Sequence, residues 1–189
     1  STTMYSNAGA DSNTIVGYGA GYGVTTGGDN VHIGYQAGYT QSTATASTLV
    51  GYKAGTNNTA DSTVALGKNA GYLNSSGGNN TFIGYSAGHS NDTGASNTMI
   101  GYQAGYAMNA NNNVVIGTNA GVAATSTTND TILIGVEAGY STAGVNIAIG
   151  RQALYHPEGN YNIAIGQQAM EGASSTTTAQ QNVAIGRHA

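Results

Sequence analysis

The chain of 189 residues has no cysteine, no tryptophan, one proline and one phenylalanine. Without cysteine it can form neither a disulfide nor a thiolate metal site. Charged residues make up 6% of the sequence, against about a quarter in an ordinary soluble domain. With only four lysines and arginines, we expect no nucleic-acid partner, because phosphate binding needs clustered cations.

Targeting and membrane signals are also missing from the sequence. No apolar run approaches the roughly 20 residues of a membrane helix, so we expect no membrane insertion in this segment. The first residues, STTMYSNAG, lack the basic and apolar regions of a signal peptide. They also lack an initiator methionine, so we expect a processed chain or part of a longer one.

What the sequence has instead is glycine, 30 residues of it, in a repeat. The heptamer IGYQAGY occurs at 33–39 and again at 100–106. A glycine preceded by Ile, Val or Leu recurs at intervals of 15 to 20 residues, at Gly17, Gly34, Gly51, Gly67, Gly84, Gly101, Gly117, Gly135, Gly150, Gly166 and Gly186. With a degenerate unit at 1–9, residues 1–189 form one repeat domain of about twelve units.

Three columns of the repeat predict a short strand before each aligned glycine. The residue three before it is always β-branched, and the residue one before it is always a large aliphatic. The column between them is apolar in ten of eleven units, which predicts a strand buried on both faces. We expect the two flanking columns to pack inside the chain's own coil and the middle column to meet a second copy. The predicted subunit interface comprises Ile15, His32, Leu49, Phe82, Met99, Val115 and Leu133.

Small and amide residues occupy further columns. The residue three after each aligned glycine is always Ala, which indicates a close approach of two backbones. The aligned glycine itself indicates a backbone conformation that a Cβ would penalise. Asn stands four residues before it in eight units, where stacked amides can hydrogen-bond from one unit to the next or close a turn.

These columns predict an all-β fold, a parallel β-roll or β-solenoid of about twelve rungs. Each unit of about 17 residues is expected to hold two short strands and two turns. Neither end carries an amphipathic cap, so we expect further rungs from a longer chain or from end-to-end polymerisation.

The pattern N-[TV]-x-[IV]-G-x-x-A-G resembles the head repeats of trimeric autotransporter adhesins. NIAIG at 146–150, NIAIG at 162–166 and NVAIG at 182–186 carry this resemblance, and NTMIGYQAG at 97–105 is similar to phage tail-fibre repeats. The resemblance implies a left-handed parallel β-roll and a homotrimeric fibre. The units are longer than the tightest adhesin-head repeats, and the anchor barrel and stalk of an autotransporter are missing from the sequence.

Candidate surface contacts lie in a tyrosine column one residue after the aligned glycine. They are Tyr18, Tyr35, Tyr52, Tyr85 and Tyr102. Such aromatics can stack on sugars, or they can simply cover a seam of the fold. Candidate glycosylation sites occur in the segments between units, at Asn57, Asn74, Asn79, Asn91 and Asn129.

No group of residues indicates catalysis, a cofactor or a metal. Most acidic residues stand alone, whereas a glycosidase needs two converging carboxylates. Five aspartates (Asp11, Asp29, Asp61, Asp92 and Asp130) can align along one edge, but the regular calcium-binding nonapeptide is absent. The four histidines occupy different positions in their units.

We therefore expect a non-catalytic structural or adhesive fibre protein outside the cell, on a cell surface or on a virion. Its partners are further copies of itself and, as candidates, cell-surface glycans or matrix. A phage tail-fibre shaft is the first alternative. An ice-binding solenoid is a minor one, since its Thr column at 14, 48, 81 and 98 is interrupted and is assigned to the core.

Overall fold

The computed structural model describes residues 9–124, 129–141, 144–156, 159–172 and 180–189. Within these ranges the chain is an all-β parallel β-solenoid without a helix. Nothing in this part of the chain is a helix long and apolar enough to cross a membrane. The degenerate unit at 1–9 lies outside the described residues except for Gly9.

Each of the eleven clear units contributes one strand, and the strands stack in chain order into one parallel sheet. The strands are β1 (Thr14–Val16), β2 (Val31–Ile33), β3 (Thr48–Val50), β4 (Val64–Leu66), β5 (Thr81–Ile83), β6 (Thr98–Ile100), β7 (Val114–Ile116), β8 (Ile132–Ile134), β9 (Asn146–Ile149), β10 (Asn162–Ile165) and β11 (Val183–Ile185). Equivalent residues pair in register, as Thr81 with Thr98 and Phe82 with Met99. The predicted strand columns are confirmed, and we call each unit with its strand a rung.

The rest of each rung differs from the prediction of two strands. Among the described residues the sheet contains one strand per rung, and turns and bends close the coil. These turns still hydrogen-bond in register: the Gly88 N–H donates to the Ala104 carbonyl at 3.0 Å, and the Ser90 N–H donates to the Tyr106 carbonyl at 2.9 Å. The backbone is therefore paired between rungs well outside the strands.

The interior of the coil is lined by the middle strand column and by the invariant alanines. Leu49, Phe82, Met99 and Leu133 are 0% exposed within the single chain. Ten of the alanines three residues after the glycine are also fully buried, at Ala20, Ala37, Ala54, Ala70, Ala87, Ala104, Ala120, Ala138, Ala153 and Ala169. This small column therefore lies in the core, and the close backbone approach inferred from it stays a prediction.

The aligned glycines form a continuous ladder along one corner of the coil. Their φ angles lie between 131° and 140°, a region that residues with a Cβ rarely adopt. From Gly34 onwards the N–H of each donates to the carbonyl of the residue before the preceding aligned glycine at 2.8 Å, as Gly101 does to Ile83. A Cβ at Gly84 would overlap the carbonyl of Gly101 in the next rung. Both backbone conformation and stacking distance therefore require glycine.

Replacing Gly84 by Ala is expected to lower the free energy of unfolding by about 3 kcal/mol, from backbone strain and the overlap with Gly101 together. Thermal or denaturant unfolding measures this. Gly78→Ala is the matched control, since the nearest atom to its added Cβ is the Asp61 carbonyl oxygen at 3.3 Å. Equal, small effects of the two substitutions would contradict the assigned role of the ladder.

A second glycine column, four residues after the first, faces the large side chains of the middle column. A Cβ at Gly55 would lie 2.8 Å from Leu49, and one at Gly71 would lie 2.6 Å from Phe82. In two rungs near the end of the chain the large and the small residue change places. There Ala148 and Ala164 occupy the middle column, and Leu154 and Met170 replace the glycine at φ 51°. Either side of the coil can thus fill the same interior space.

This exchange predicts compensation between Phe82 and Gly88, whose added Cβ would overlap the Phe82 ring. Phe82→Ala should cost about 3–5 kcal/mol through the cavity it leaves, and Gly88→Leu alone should clash with the ring. The double variant reproduces the Ala148–Leu154 arrangement, so it should be more stable than either single variant. If the losses of unfolding free energy of the two single variants simply added up in the double variant, the two positions would not share the space that the Phe82 ring fills.

Candidate functional site

The outward side of the sheet forms a continuous surface along the eleven described strands. It consists of the side chains three and one residue before each aligned glycine, and we call it the outer face. These residues are Thr, Val, Ile and Leu, and they are half-buried or exposed in every rung. Val16 is 55% and Ile33 is 37% exposed. Soluble proteins rarely expose so continuous an apolar surface without a partner for it.

This placement shows that the predicted subunit interface is wrong. His32, Leu49, Phe82, Met99, Val115 and Leu133 are 0% exposed in the single chain, and Ile15 is half-buried in the first strand. Both sets of strand residues are apolar, so apolarity alone could not separate inside from outside. A signal that could have separated them is size: the middle column varies from Ala to Phe, and where Ala148 and Ala164 occupy it the glycine opposite is replaced by Leu154 and Met170.

The threonines of the outer face require a second correction. Thr48, Thr81 and Thr98 are half-buried and Thr14 is exposed, on the outward side of the sheet. The prediction that this column belongs to the core is wrong, because neighbouring strand residues alternate in direction and the middle column faces inward.

The five candidate tyrosines form a ladder beside the outer face, where each strand ends. Tyr35 stacks on Tyr52 with ring centroids 5.2 Å apart and planes 9° apart, and Tyr18 and Tyr35 stack in the same way. Tyr85 and Tyr102 stack at 5.2 Å. The ring faces contact each other along the axis, so this ladder presents mainly ring edges and hydroxyls outward. Sugars would meet those edges rather than open ring faces.

Lys68 fills the gap in this tyrosine ladder. Its ammonium lies 5.6 Å from the ring centroids of both Tyr52 and Tyr85, and the Lys53 ammonium lies 5.6 Å from Tyr52. Such cation–π contacts hold a positive charge beside the outer face.

A second aromatic ladder follows the column five residues after the glycine. Tyr22 stacks on Tyr39 at 4.9 Å, and His89 lies between Tyr72 and Tyr106 at 5.2 and 4.7 Å. Sequence reasoning missed His89 as a member, although counting five residues from Gly84 finds it. Partial burial lowers the pKa of His89.

Buried amide side chains form two ladders that run from rung to rung through the interior of the coil. In the first, Asn97 Nδ2 donates to Asn80 Oδ1 at 3.1 Å and Asn113 Nδ2 donates to Asn97 Oδ1 at 3.0 Å. The Asn97 backbone N–H also donates to Asn80 Oδ1, at 2.8 Å. The rung-to-rung bonding predicted for this asparagine column is confirmed.

The second amide ladder was not predicted. It lies seven residues after the aligned glycine and contains Gln41, Asn58, Asn74 and Asn91, all 0% exposed. Asn91 Nδ2 donates to Asn74 Oδ1 at 3.2 Å. Val24, Met108 and Ala124 fill the same column in other rungs. That mixture of amide and apolar residues, read from the glycine, is the signal in the sequence that could have revealed it.

Burial removes two of the candidate glycosylation sites. Asn74 and Asn91 lie inside the coil, so the prediction of glycans there is wrong. Asn79 and Asn129 are exposed and Asn57 is half-buried. These three stay predictions.

Charged residues are sparse and do not gather. In the described ranges no three His, Asp or Glu side chains lie close enough to hold a metal ion. Asp11, Asp29, Asp61 and Asp130 are exposed where their strands begin, while Asp92 lies in a turn elsewhere in its rung.

One local depression interrupts the outer face near β8 to β10. This apolar groove of about 280 Å³ is lined by outward side chains of the three strands, by the first residues of β9 and β10 and by residues before the strands. The lining residues are Asp130, Ile132, Val145, Asn146, Ile147, Tyr161, Asn162 and Ile163. Tyr161 is 61% exposed at its rim.

Comparisons with known proteins give no relative for this chain. No protein-family model matches the chain, and neither does any curated protein or solved structure.

Among the described residues, His32 is the ionisable side chain that lies fully buried in the core. Burial lowers its pKa to about 4, against a smaller opposing effect of the neighbouring Gln41 side chain. The folded state therefore favours the neutral imidazole, while the unfolded chain takes up a proton near pH 6.5. The contribution of the neutral imidazole to the free energy of unfolding is complete above pH 6.5 and is lost progressively as the pH falls towards 4.

Between pH 7 and pH 4 the wild-type chain is expected to lose about 3 kcal/mol of unfolding free energy through His32, and His32→Leu should abolish that part of the loss. Leu49 shows that leucine fits the column. Urea denaturation at several pH values measures the difference between variant and wild type. His156→Gln, which alters an exposed histidine, is the control. An unchanged pH dependence in His32→Leu would contradict burial of a neutral imidazole.

Proposed function

We propose that this chain is a structural or adhesive fibre protein that acts outside the cell, on a cell surface or a virion. In this proposal three copies lie side by side as a homotrimer of left-handed rolls, each of about twelve rungs. The copies bury their outer faces against one another. Projecting turns and the tyrosine edges contact other surfaces, with glycans and matrix as candidate ligands.

The outer face is the single observation that carries this proposal. It runs through all eleven described strands as two columns of Val, Ile, Leu and Thr. Burying a fully exposed aliphatic side chain contributes roughly 1.5–3 kcal/mol, and most outer-face side chains, already half-buried, would each contribute a part of that in every rung that a partner covers. Sparse charge also supports stacking, because like charges repeated in every rung would repel.

Electron microscopy and light scattering test the fibre directly. We expect elongated particles or filaments with several chains around the axis and an axial spacing of about 4.8 Å. Ile100→Lys, on the outer face, should yield single chains of unchanged β-content, because it buries a charge in the interface. Ala107→Lys, at an exposed position away from that face, is the matched control. Solitary wild-type chains at high concentration would overturn the proposal.

A phage tail-fibre shaft would use the same architecture. Its presence in purified virions, next to a receptor-binding tip, separates that role from a cellular fibre. Neither role requires a catalytic residue.

The outward threonines favour ice binding as a second candidate. One of the two reasons for discounting it, assignment of the threonines to the core, no longer holds, since Thr48, Thr81 and Thr98 lie on the outer face. Val and Ile still interrupt the column, so the array of hydroxyls is irregular and the fibre stays the first choice. Thermal hysteresis that is lost in Thr81→Lys would reverse this order.

A further inference from the structure

All four cationic side chains of the sequence occupy one side of the sheet. Lys68, Arg151 and Arg187 directly follow an aligned glycine, and Lys53 stands two residues after one. Because the eleven strands are parallel and in register, every strand ends on the same side. We call this side, with its tyrosine ladder, the strand-end side.

Four of the five aspartates occupy the opposite side. Asp11, Asp29, Asp61 and Asp130 stand five or six residues before the aligned glycine, where the strands begin, and all four are exposed. We call this the strand-start side. The apolar outer face therefore lies between a side with four aspartates and a side with all four cations, the phenol hydroxyls and one acid, Glu137, which accepts a hydrogen bond from Gln152 Nε2.

This arrangement distinguishes the two ways in which outer faces can meet. When two copies face each other with their axes in the same direction, the strand-end side of one lies against the strand-start side of the other. When one copy is inverted, acid meets acid and cation meets cation. A ring of three copies in the same direction also places unlike sides together. Complementary charge selects orientation in this way.

The positions also match rung by rung. Lys68 and Asp61 belong to the rung of Gly67, and Tyr35 and Asp29 belong to the rung of Gly34. Copies in the same direction without a stagger bring these partners to one height. The Asp61 carboxylate is fixed in position for a contact with Lys68 of a neighbour, because its Oδ1 accepts hydrogen bonds from the Thr45 N–H at 2.7 Å and from the Thr45 hydroxyl.

The groove beside β8 to β10 fits the same arrangement. Its apolar lining of Ile132, Ile147 and Ile163 opens next to Asp130, on the strand-start side. A neighbour in the same direction would present its strand-end side there, near the height of Val136 and Arg151.

We propose that copies of this chain associate side by side in the same direction through their outer faces, with Lys68 of one chain paired to Asp61 of the next. This inference rests on the proposed self-assembly and adds its polarity and one specific contact. The resulting fibre has two different ends.

A charge exchange tests the contact. Lys68→Glu and Asp61→Lys should each weaken association about fivefold or more at low salt, and the double variant should restore it. Asp92→Lys is the control for Asp61→Lys, since it reverses an exposed acid away from the outer face that also bonds a neighbouring side chain. Sedimentation equilibrium measures association, and thermal melts check the fold. Failure of the double variant to recover overturns the pairing.

Single cysteines test the direction, because the natural chain has none. A mixture of Val31→Cys with Ile33→Cys should form a mixed disulfide, because the start of this strand lies against the end of the same strand in the next copy. A mixture of Ile33→Cys with Ile165→Cys should form none, and a preferential disulfide between those two would mean inverted neighbours and would overturn this inference while leaving the fibre intact. Chains that stay monomeric would overturn the fibre proposal as well, so the two failures are distinguishable.

Discussion

The structure depends on one close contact, that of each aligned glycine with the glycine carbonyl of the next rung. At φ near 135° the chain turns out of the strand, and the absence of a Cβ lets the next rung stack directly on it. The glycine N–H bonds at 2.8 Å fix the register of each strand to its neighbour. Since register sets which side chains lie above one another, this contact positions every other column of the protein.

Once the register is fixed, each side chain meets its own equivalent in the rungs above and below. Asparagine then meets asparagine in a buried amide ladder, and tyrosine meets tyrosine in a stack. Ionised side chains are poor members of such columns, because identical charges at strand spacing repel. That rule explains a composition with 6% charged residues better than burial does, since most of the acids are exposed.

Much of this fold could be predicted from internal repetition alone. The aligned glycines, the three strand columns, the buried alanines and the asparagine ladder follow from residue type at fixed spacing. Apolarity alone did not predict which strand side chains face inward, because Ile100 and Met99 are equally apolar, and inside and outside were exchanged. The ladder of Gln41, Asn58, Asn74 and Asn91 was missed because amides in segments rich in Ser, Thr and Gly resemble solvated turns.

The direction of the middle column is the claim on which both the core and the outer face depend. Methionine oxidation by dilute peroxide, followed residue by residue with mass spectrometry, tests it most directly, because oxidation follows exposure. Met99 and Met108 are 0% exposed, whereas Met170 is partly exposed. The account predicts that, in the dissociated Ile100→Lys chain, Met99 and Met108 oxidise far more slowly than Met170. Oxidation of Met99 as fast as in the unfolded chain would contradict it.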